Sequence, residues 1–275
     1  MATFVSEVPD AAQSGHRGAS RVASTLVIAK RSMLKFLRTP QLVVLGTIQG
    51  ALFLFIFRYV FGGAMNAGSL SYVDFLVPGF VTTIVLFAGQ GAAVGVAEDM
   101  EQGVLDRFRS LPIPRASVLT GRVIADMGML VWSVVITIAL GFAVGFRLSG
   151  SVPEALAAFG LILVFGFAFE WVFVALGMVS GNAQAAQNLA FMVFPLTFVS
   201  SAYVPVESMP GWLQGVAEHQ PITYMVDAVR SLTLGPDTTA VLGHDASYFV
   251  LWSLVWTAAI VAVFAPLAVS RFRRG

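Results

Sequence analysis

The first candidates for chemistry in this chain are ionisable residues that lie inside two of its long apolar stretches. Glu170 stands near the middle of the stretch 155–179, while Arg122 and Asp126 stand toward one end of the stretch 118–146. Ionisable groups in hydrocarbon are costly and usually mark a pathway, a binding site or a pair. Arg122 and Asp126 are one helical turn apart, which favours a simple ion pair. Glu170 is predicted to face a translocation path or a subunit interface, with a protonated or paired structural residue as the alternative.

Nucleotide hydrolysis and metal or nucleophilic catalysis are not expected of this chain. Its two lysines, Lys30 and Lys35, do not lie in the Gly-x-x-x-x-Gly-Lys-Ser/Thr loop that cradles nucleotide phosphates. The histidines, His16, His219 and His244, fall outside the apolar stretches, and there is no cysteine. An intramembrane Ser–His pair and an intramembrane metal site with histidine or thiolate ligands are therefore excluded. We expect no catalytic residue, no metal ligand and no bound cofactor, so any ATP that drives the protein is hydrolysed by another chain.

The composition is that of a polytopic membrane protein. Of the 275 residues, 57% are hydrophobic and only 11% are charged, against about 25% charged in soluble domains. A helix needs roughly 20 apolar residues to cross a bilayer. The fold class is predicted as all-α with six transmembrane helices. The apolar runs place them at 41–61, 76–97, 118–146, 155–179, 188–204 and 247–269.

The distribution of lysine and arginine predicts the orientation. Outside the predicted spans, twelve of these residues lie in the segments 1–40, 98–117 and 270–275, and only Arg147 and Arg230 lie in the alternate loops. Because cytoplasmic loops are rich in lysine and arginine, both termini are predicted to be cytoplasmic. The expected location is the plasma (inner) membrane.

The segment before the first span, residues 20–39, is predicted to be an amphipathic helix at the cytoplasmic membrane interface. Its apolar residues recur at spacings of three and four. Three basic residues gather on the opposite face: Arg31, Lys35 and Arg38. The helix could bind anionic lipid or dock a partner protein. Residues 1–19 are predicted to be a disordered cytoplasmic tail, and residues 40–275 to be the transmembrane domain.

Charged residues are denser in the segment 98–117, between the second and third spans, than anywhere else in the chain. Four acidic residues in its first nine positions suit a helix N-terminus, and a Pro-x-Pro sequence ends the pattern. A short amphipathic helix here could transmit force from a soluble ATPase, and the alternative is a solvated loop that only sets topology. The candidate ATPase contacts are Glu98, Glu101, Leu105, Arg107, Phe108 and Arg109.

The longest break between spans, residues 205–246, is divided by prolines into two short helices that are too brief to cross the membrane. Trp212 and Tyr224 suit the aromatic belt of a membrane interface. We expect a re-entrant or interfacial helical pair that covers the outer ends of the spans, buried in protein or lining water. Its marker residues are Pro205, Pro210, Trp212, Pro221, Tyr224 and Arg230.

Small residues dominate the second span at Ala88-Gly89-Gln90-Gly91-Ala92-Ala93-Val94-Gly95. Such a run permits close contact between helices, within one copy or between two. Gln90 is predicted to lie on the translocation path or at a subunit interface.

In their order along the chain, these segments resemble the ABC-2 family of transporter permeases, in particular the daunorubicin-resistance type of exporter subunit. The resemblance rests on the basic helix before the first span, the segment 98–112 with its Leu-Pro stop, and the outer Pro-x-x-x-x-Pro-Gly-Trp-Leu, His-Gln-Pro-Ile-Thr-Tyr and Ala-x-Arg sequences. The Glu-x-x-Gly sequence of the second segment is matched only loosely, as Glu-Gln-Gly. The resemblance covers nearly the whole chain after residue 20.

The resemblance implies a six-helix permease that pairs with a second identical or homologous permease and with two cytoplasmic ATP-binding subunits, which hold ATP and Mg²⁺. It implies that the helix 20–38 and the segment 98–112 contact those subunits, whose closure opens the permease interface outward. The implied cargo is a hydrophobic or amphipathic drug or a lipid, with antibiotic resistance as one outcome. No nucleic-acid partner is expected.

A proton-coupled carrier that needs no ATPase is the alternative function. Glu170 and Asp126 could be its proton sites, and broken helices near 180–188 and 205–230 are compatible with such folds. The chain has no internal repeat and is small for a carrier. A membrane-embedded enzyme is disfavoured by the absence of histidine from the spans.

Overall fold

The computed structural model describes residues 48, 50–63, 70–109 and 115–274. These residues are helical, and no β-strand occurs among them, which confirms the all-α class. The predicted tail 1–19 and the predicted interface helix 20–39 lie outside the described residues, as do Arg31, Lys35 and Arg38 within that helix.

The helices follow one another with short connections. In chain order they are α1 (Gly50–Phe61), α2 (Tyr72–Glu101), α3 (Val104–Arg109), α4 (Arg115–Ala143), α5 (Val152–Ser180), α6 (Ala183–Phe191), α7 (Pro195–Phe198), α8 (Gly211–His219), α9 (Pro221–Leu234), α10 (Thr239–Leu242) and α11 (Ala246–Arg274). The last six residues of α1 are π-helical. Two 3₁₀ turns, Val206–Ser208 and Pro236–Thr238, flank α8 and α9.

Four of these helices, α2, α4, α5 and α11, are long and apolar enough to cross a membrane. They coincide with the predicted spans 76–97, 118–146, 155–179 and 247–269, each extended by a few residues at one end or both. The protein is therefore a multi-pass membrane protein. The shorter α1 is the described part of the predicted first span, 41–61.

Local sequence fixes where the two central helices begin. The Ser71 hydroxyl accepts a hydrogen bond from the backbone N–H of Asp74 at the start of α2. At the start of α5, Ser151 accepts from the N–H of Glu154, and the Glu154 carboxylate accepts from the N–H of Ser151 at 2.7 Å. Such caps satisfy N–H groups that have no partner within the helix.

The core lies between α2 and α5, which pack against each other along most of their length. In each, 67% of the most apolar stretch is buried, compared with 28% in α4 and 17% in α11. The outward faces of α4 and α11 carry large apolar side chains, including Trp132, Phe142, Leu251 and Val263. In a membrane protein this exposed apolar surface is suited to contact lipid.

Glycines allow the close contact between α2 and α5. A methyl group added to Gly177 of α5 would overlap the carbonyl oxygen of Ala93 on α2. A methyl group added to Gly89 of α2 would overlap the ring of Phe173 on α5. The small residues of α2 therefore pack helices within one copy of the chain, as one of the two sequence interpretations held.

The predicted fifth span, 188–204, is not one continuous helix. It contains the second half of α6, a turn at residues 192–194, and the four-residue helix α7, which begins at Pro195. Proline lacks the N–H that would continue the helical hydrogen bonds and is favoured at the first turn of a new helix. Beyond α7 the chain runs irregularly to the 3₁₀ turn at Val206.

The two short helices predicted within 205–246 are present as α8 and α9, and Pro210 and Pro221 stand at their starts. α9 packs against α2, α5 and α11 and is buried over most of its length. α8 is more exposed and buries chiefly Ala217, in a small cluster with Val206 and Met209.

Replacing Gly177 with alanine should force α2 and α5 apart, because the rigid Ala93 carbonyl occupies the space that the new methyl group needs. We expect a loss of about 1–3 kcal/mol of stability, the usual effect of overpacking. Thermal unfolding in lipid nanodiscs would measure it. Gly160→Ala on the same helix is the matched control, because no atom lies within 4 Å of the added methyl group. Equal losses in the two variants would contradict this account of the packing.

Candidate functional site

The acidic residues of the segment 98–117 lie at the end of a long helix. Glu98, Asp99 and Glu101 form the last turn of α2, so the prediction that they begin a helix was wrong. The chain turns at Gly103, whose φ of +66° favours glycine, and then enters α3. Acidic groups at a helix C-terminus oppose the helix dipole, but a contact made by Asp99 outside α2 compensates for this.

That contact is with Arg122 of α4. Arg122 Nη1 donates to Asp99 Oδ2 and, at 3.1 Å, to the carbonyl oxygen of Gly95 on α2. Arg122 Nε donates to Asp126 Oδ2 at 3.3 Å, which confirms the predicted pairing within α4. Gly95 has no side chain, and a methyl group there would overlap the guanidinium. Arg122 thus attaches the end of α2 to α4.

Helix α3 is held at this end of the bundle by Leu105. Its side chain is 5% exposed and belongs to a small core that includes Val118, Trp171 and Phe272. Leu105 was predicted to contact an ATPase, but its side chain faces inward and anchors α3.

The other predicted ATPase contacts differ in exposure. Glu101 and Arg107 are exposed, and Glu98 is partly buried. The side chains of Phe108 and Arg109 lie outside the described part of the structure. We call the end of the bundle that carries Glu101 and α3 the Glu101 end.

Glu101 also touches the helix that follows α5. Its Oε1 accepts a hydrogen bond from the backbone N–H of Ala183, the first residue of α6, at 3.4 Å. The Asn182 side chain accepts from the N–H of Ala185 at 2.7 Å and caps the same helix. The segment after α2 is therefore in direct contact with the start of α6.

A polar cavity of about 340 Å³ lies between α2 and α6. It is lined by Gln90, Gln184, Gln187, Asn188 and Phe191. The three amides of α6 are exposed, and Gln184 Nε2 donates to Asn188 Oδ1 at 3.3 Å. Gln90 was predicted to lie on a translocation path or at an interface, and the structure brings it together with the amides of α6.

Glu170 lies inside a single copy's helix bundle and is 1% exposed. Its carboxyl group interacts electrostatically with Asp126 and Arg122 of α4. In this structure it does not reach an open path or an exposed interface, the positions that the sequence interpretation favoured. The polar cavity beside Gln90 does not include it.

Arg230 of α9 is fully buried near the start of α2. Its guanidinium contacts its own helix, α2 and the segment that contains Ser201. Its Nη1 donates to Asp227 Oδ1 at 2.6 Å, and its Nη2 donates to the carbonyl oxygens of Phe75 and Ser201, each at 2.9 Å. The guanidinium also lies 3.8 Å from the centre of the Phe75 ring. We call this end of the bundle the Arg230 end. Phe75 and Glu101 are 26 positions apart, so about 40 Å of helix separates the two ends.

Burial and pairing act in opposite directions on this buried pair. Burial raises the pKa of the Asp227 carboxyl, while the Arg230 guanidinium and the Ser201 hydroxyl oppose that shift. Burial lowers the pKa of Arg230, and Asp227 opposes it. Each charged group is therefore stabilised in the protein interior by the other.

The remaining predicted residues of the outer segment are placed differently from one another. Trp212 is 79% exposed on α8, as expected of a belt residue. Tyr224 instead packs inside the protein against Trp252 of α11, with ring centres 5.8 Å apart. Burial and the neighbouring Tyr248 raise the pKa of Tyr224 to about 12. Pro205 and Pro210 flank the 3₁₀ turn that precedes α8.

Sequence reasoning missed the contact of the irregular segment after α7 with α2. Tyr203 Oη lies 3.0 Å from Thr83 Oγ1, and Tyr72 donates to the carbonyl oxygen of Tyr203. A methyl group on Gly79 would overlap the Ala202 backbone. The run Ser-Ser-Ala-Tyr at 200–203 gave no pattern that indicates this docking.

The profile of the ABC-2 type transporter family matches residues 23–234, about three quarters of the chain. The chain belongs to this family. It is 32% identical over 260 residues to the daunorubicin resistance ABC transporter permease protein DrrB1 of Streptomyces coeruleorubidus, covering 93% of this chain and 88% of that protein.

Two further relatives agree with this membership. The probable doxorubicin resistance ABC transporter permease protein DrrC of Mycobacterium tuberculosis is 27% identical over 269 residues, covering 94% of this chain and 92% of that protein. The probable multidrug ABC transporter permease YbhR of Escherichia coli K12 is 25% identical over 214 residues, covering 75% of this chain and 54% of that protein.

Membership of the ABC-2 family decides between the functions left open by the sequence. The protein is a permease subunit of an ABC transporter and not an enzyme, and the family supports an ATP-driven exporter over the proton-coupled carrier. Within the described ranges, no group of three His, Cys, Asp or Glu side chains could hold a metal ion.

Replacing Arg230 of this ABC-2 permease with methionine should strongly destabilise it, because the Asp227 carboxylate then remains buried without a counter-ion. The expected loss is about 3–5 kcal/mol, measured as a lower melting temperature and less monodisperse protein in detergent. The double variant Arg230→Met/Asp227→Leu should recover part of the loss, since neither charge remains.

The matched control for this experiment is Arg147→Met, which removes an exposed arginine that donates to the carbonyl oxygens of Phe142 and Phe146. Its effect should be small. An unstable Arg147→Met variant, or a stable Arg230→Met variant, would contradict the stabilising role of the buried pair.

Proposed function

We propose that this permease exports a hydrophobic or amphipathic drug, or a lipid, outward from the cytoplasmic side, driven by two separate ATP-binding subunits. The observation that carries the proposal is the arrangement of α3 at the Glu101 end. There α3 is anchored on its inner side by Leu105, while Glu101 and Arg107 are exposed beyond it. A short helix fixed to the spans and exposed on its outer side can transmit a push from a soluble ATPase.

The proposed orientation puts the Glu101 end and both termini in the cytoplasm of the plasma (inner) membrane. Support comes from the excess of lysine and arginine in the segments 1–40, 98–117 and 270–275. The amphipathic helix proposed for residues 20–39 would then lie beside α3 and share the ATPase contact. Its basic residues Arg31 and Lys35 would lie at the membrane surface or against the ATPase.

The proposed architecture has six spans, with α1 completing the first and the broken α6–α7 segment forming the fifth. The α8–α9 pair would be the re-entrant unit at the outer face. Its support is the burial of α9 among α2, α5 and α11, because the helix ends and turns of a segment that enters the bilayer without crossing it must be covered by protein or line water.

A second permease, identical or homologous, is proposed to cover the exposed face of α6. Gln184, Gln187 and Asn188 are exposed there, and amides facing hydrocarbon would lack partners. A water-filled path or a facing permease would provide those partners. We propose that the cargo passes along this face beside Gln90.

The proposed coupling route runs from α3 to α6. A push on Glu101 or Arg107 would move the last turn of α2, whose Glu101 carboxylate contacts the N–H of Ala183. α6 would then shift against Gln90 and change the path. ATP can drive this change only as far as it binds the two states of the assembly differently.

The nature of the cargo is proposed from the relatives, two of which are named for resistance to daunorubicin or doxorubicin. The apolar spans are compatible with such a cargo. The protein would then contribute to antibiotic resistance by lowering the drug concentration inside the cell.

The test of this function is ATPase activity in a reconstituted complex. The permease is co-expressed with a candidate ATP-binding subunit from the same genome, copurified into lipid nanodiscs and titrated with anthracyclines and lipids. Hydrolysis that changes with one of these compounds is the expected result. A permease that recruits no ATPase would refute the proposal.

Reversing the charge of Glu101 or Arg107 should weaken the ATPase contact without unfolding the permease. We expect each of Glu101→Lys and Arg107→Glu to lower the affinity for the ATPase by about tenfold, or about 1.4 kcal/mol. Binding of the purified ATPase to nanodiscs would measure this. Glu218→Lys, on the exposed face of α8, is the matched control. An equal effect of all three variants would show that the contact lies elsewhere.

A further inference from the structure

Four ionisable side chains meet inside the bundle toward the Glu101 end, and we call them the charge cluster. They are Asp99 of α2, Arg122 and Asp126 of α4, and Glu170 of α5. Arg122 contacts both aspartates, and Glu170 interacts electrostatically with Asp126 and Arg122. The cluster therefore contains three carboxyl groups and one guanidinium.

Arg122 is already committed to the two aspartates. Nε donates to Asp126 Oδ2, and Nη1 donates to Asp99 Oδ2 and to the Gly95 carbonyl oxygen. Arg122 Nη2 lies against Gly95, where a side chain would overlap it. The aspartates keep some exposure, 19% at the Asp99 side chain and 25% at Asp126, so water can help to stabilise their charge.

Glu170, unlike the two aspartates, has neither a direct contact with Arg122 nor exposure to water. It is 1% exposed, its Oε2 atom is buried without a hydrogen-bond partner, and it forms no ion pair with any described residue. An ionised carboxylate so placed would lack both water and a directly paired counter-ion. Burial of that kind strongly disfavours the charged form.

Among the residues that the structure describes, the other helices that pack on α5 supply no positive charge to Glu170. α6 has no charged residue, and α11 has none before Arg271. Arg230 of α9 lies at the opposite end of the bundle and is paired with Asp227. Arg122 is the one guanidinium of the charge cluster, so it alone cannot balance all three carboxyls if each of them is ionised.

From this geometry we infer that Glu170 binds a proton and is a neutral carboxylic acid at physiological pH. The ligand of the site is the proton itself, held on Glu170 and not transported. Because the neutral acid does not compete for Arg122, the guanidinium stays on Asp99. The proton on Glu170 thereby favours the contact that attaches the end of α2, and with it α3, to α4.

Dicyclohexylcarbodiimide is a suitable probe, because this apolar reagent partitions into membranes and reacts with protonated carboxyl groups. The acid proton moves to a carbodiimide nitrogen as the carboxyl oxygen adds to the central carbon. The acyl group then migrates from oxygen to nitrogen and gives a stable N-acylurea without a co-reactant.

We expect the full-length permease in lipid nanodiscs to be labelled at Glu170 near neutral pH, as found by peptide mass spectrometry. Labelling should fall as alkaline pH removes the proton. Glu154, an exposed carboxyl at the other end of the same helix, is the internal control and should remain unlabelled. Glu170→Gln should abolish the labelled peptide. Labelling of Glu170 supports the inference.

An infrared difference spectrum decides the question where the reagent fails to reach the site. Subtracting the spectrum of Glu170→Gln from that of the unaltered permease should leave the C=O stretching band of a protonated carboxylic acid. The matched variant Glu154→Gln should leave only carboxylate bands. A carboxylate difference band for Glu170→Gln, with no acid band, would overturn the inference. Neither measurement depends on the cargo or on the ATPase, so the result stands apart from the proposed export function.

Discussion

The hydrocarbon interior offers no hydrogen-bond partner and no counter-ion, and this constraint determines how the bundle is joined. Two arginines satisfy it by reaching from other helices to α2. Arg122 binds Asp99 near the end of α2, and Arg230 binds the Phe75 carbonyl near its start. Between these points Gly177 brings α5 into contact with α2. The polar groups therefore act as joints between helices that are otherwise held by apolar packing.

The four long spans could be predicted because length and apolar composition are properties of the local sequence. The break between α6 and α7 could not, since a hydropathy average over a span is insensitive to a three-residue turn. Pro195 was visible in the sequence, but proline is tolerated in other helices of this protein, as Pro78 of α2 and Pro266 of α11 show. The docking of residues 200–203 on α2, which accompanies the break, is a tertiary contact.

In the candidate site, too, local patterns could be predicted from the sequence and tertiary contacts could not. The Arg122–Asp126 pair follows from a spacing of four residues and was predicted. The contacts of Arg122 with Asp99 and of Arg230 with Phe75 join residues 23 and 155 positions apart, and no local pattern indicates them. The acidic residues near Glu101 were assigned to a helix start because their charges suit one. They instead end α2, where Arg122 of another helix balances the negative charge of Asp99.

The buried Arg230 network gives α2 a fulcrum. With its start held at Phe75, α2 can pivot there as a rod, together with α4, to which Arg122 attaches its last turns. A tilt of about 5° at Phe75 would displace Glu101 by about 3 Å, given a rise of 1.5 Å per residue. Gln90, a little over halfway along, would move by about 2 Å. A small rotation is thus amplified at the Glu101 end, while the opposite face of the membrane is left nearly still.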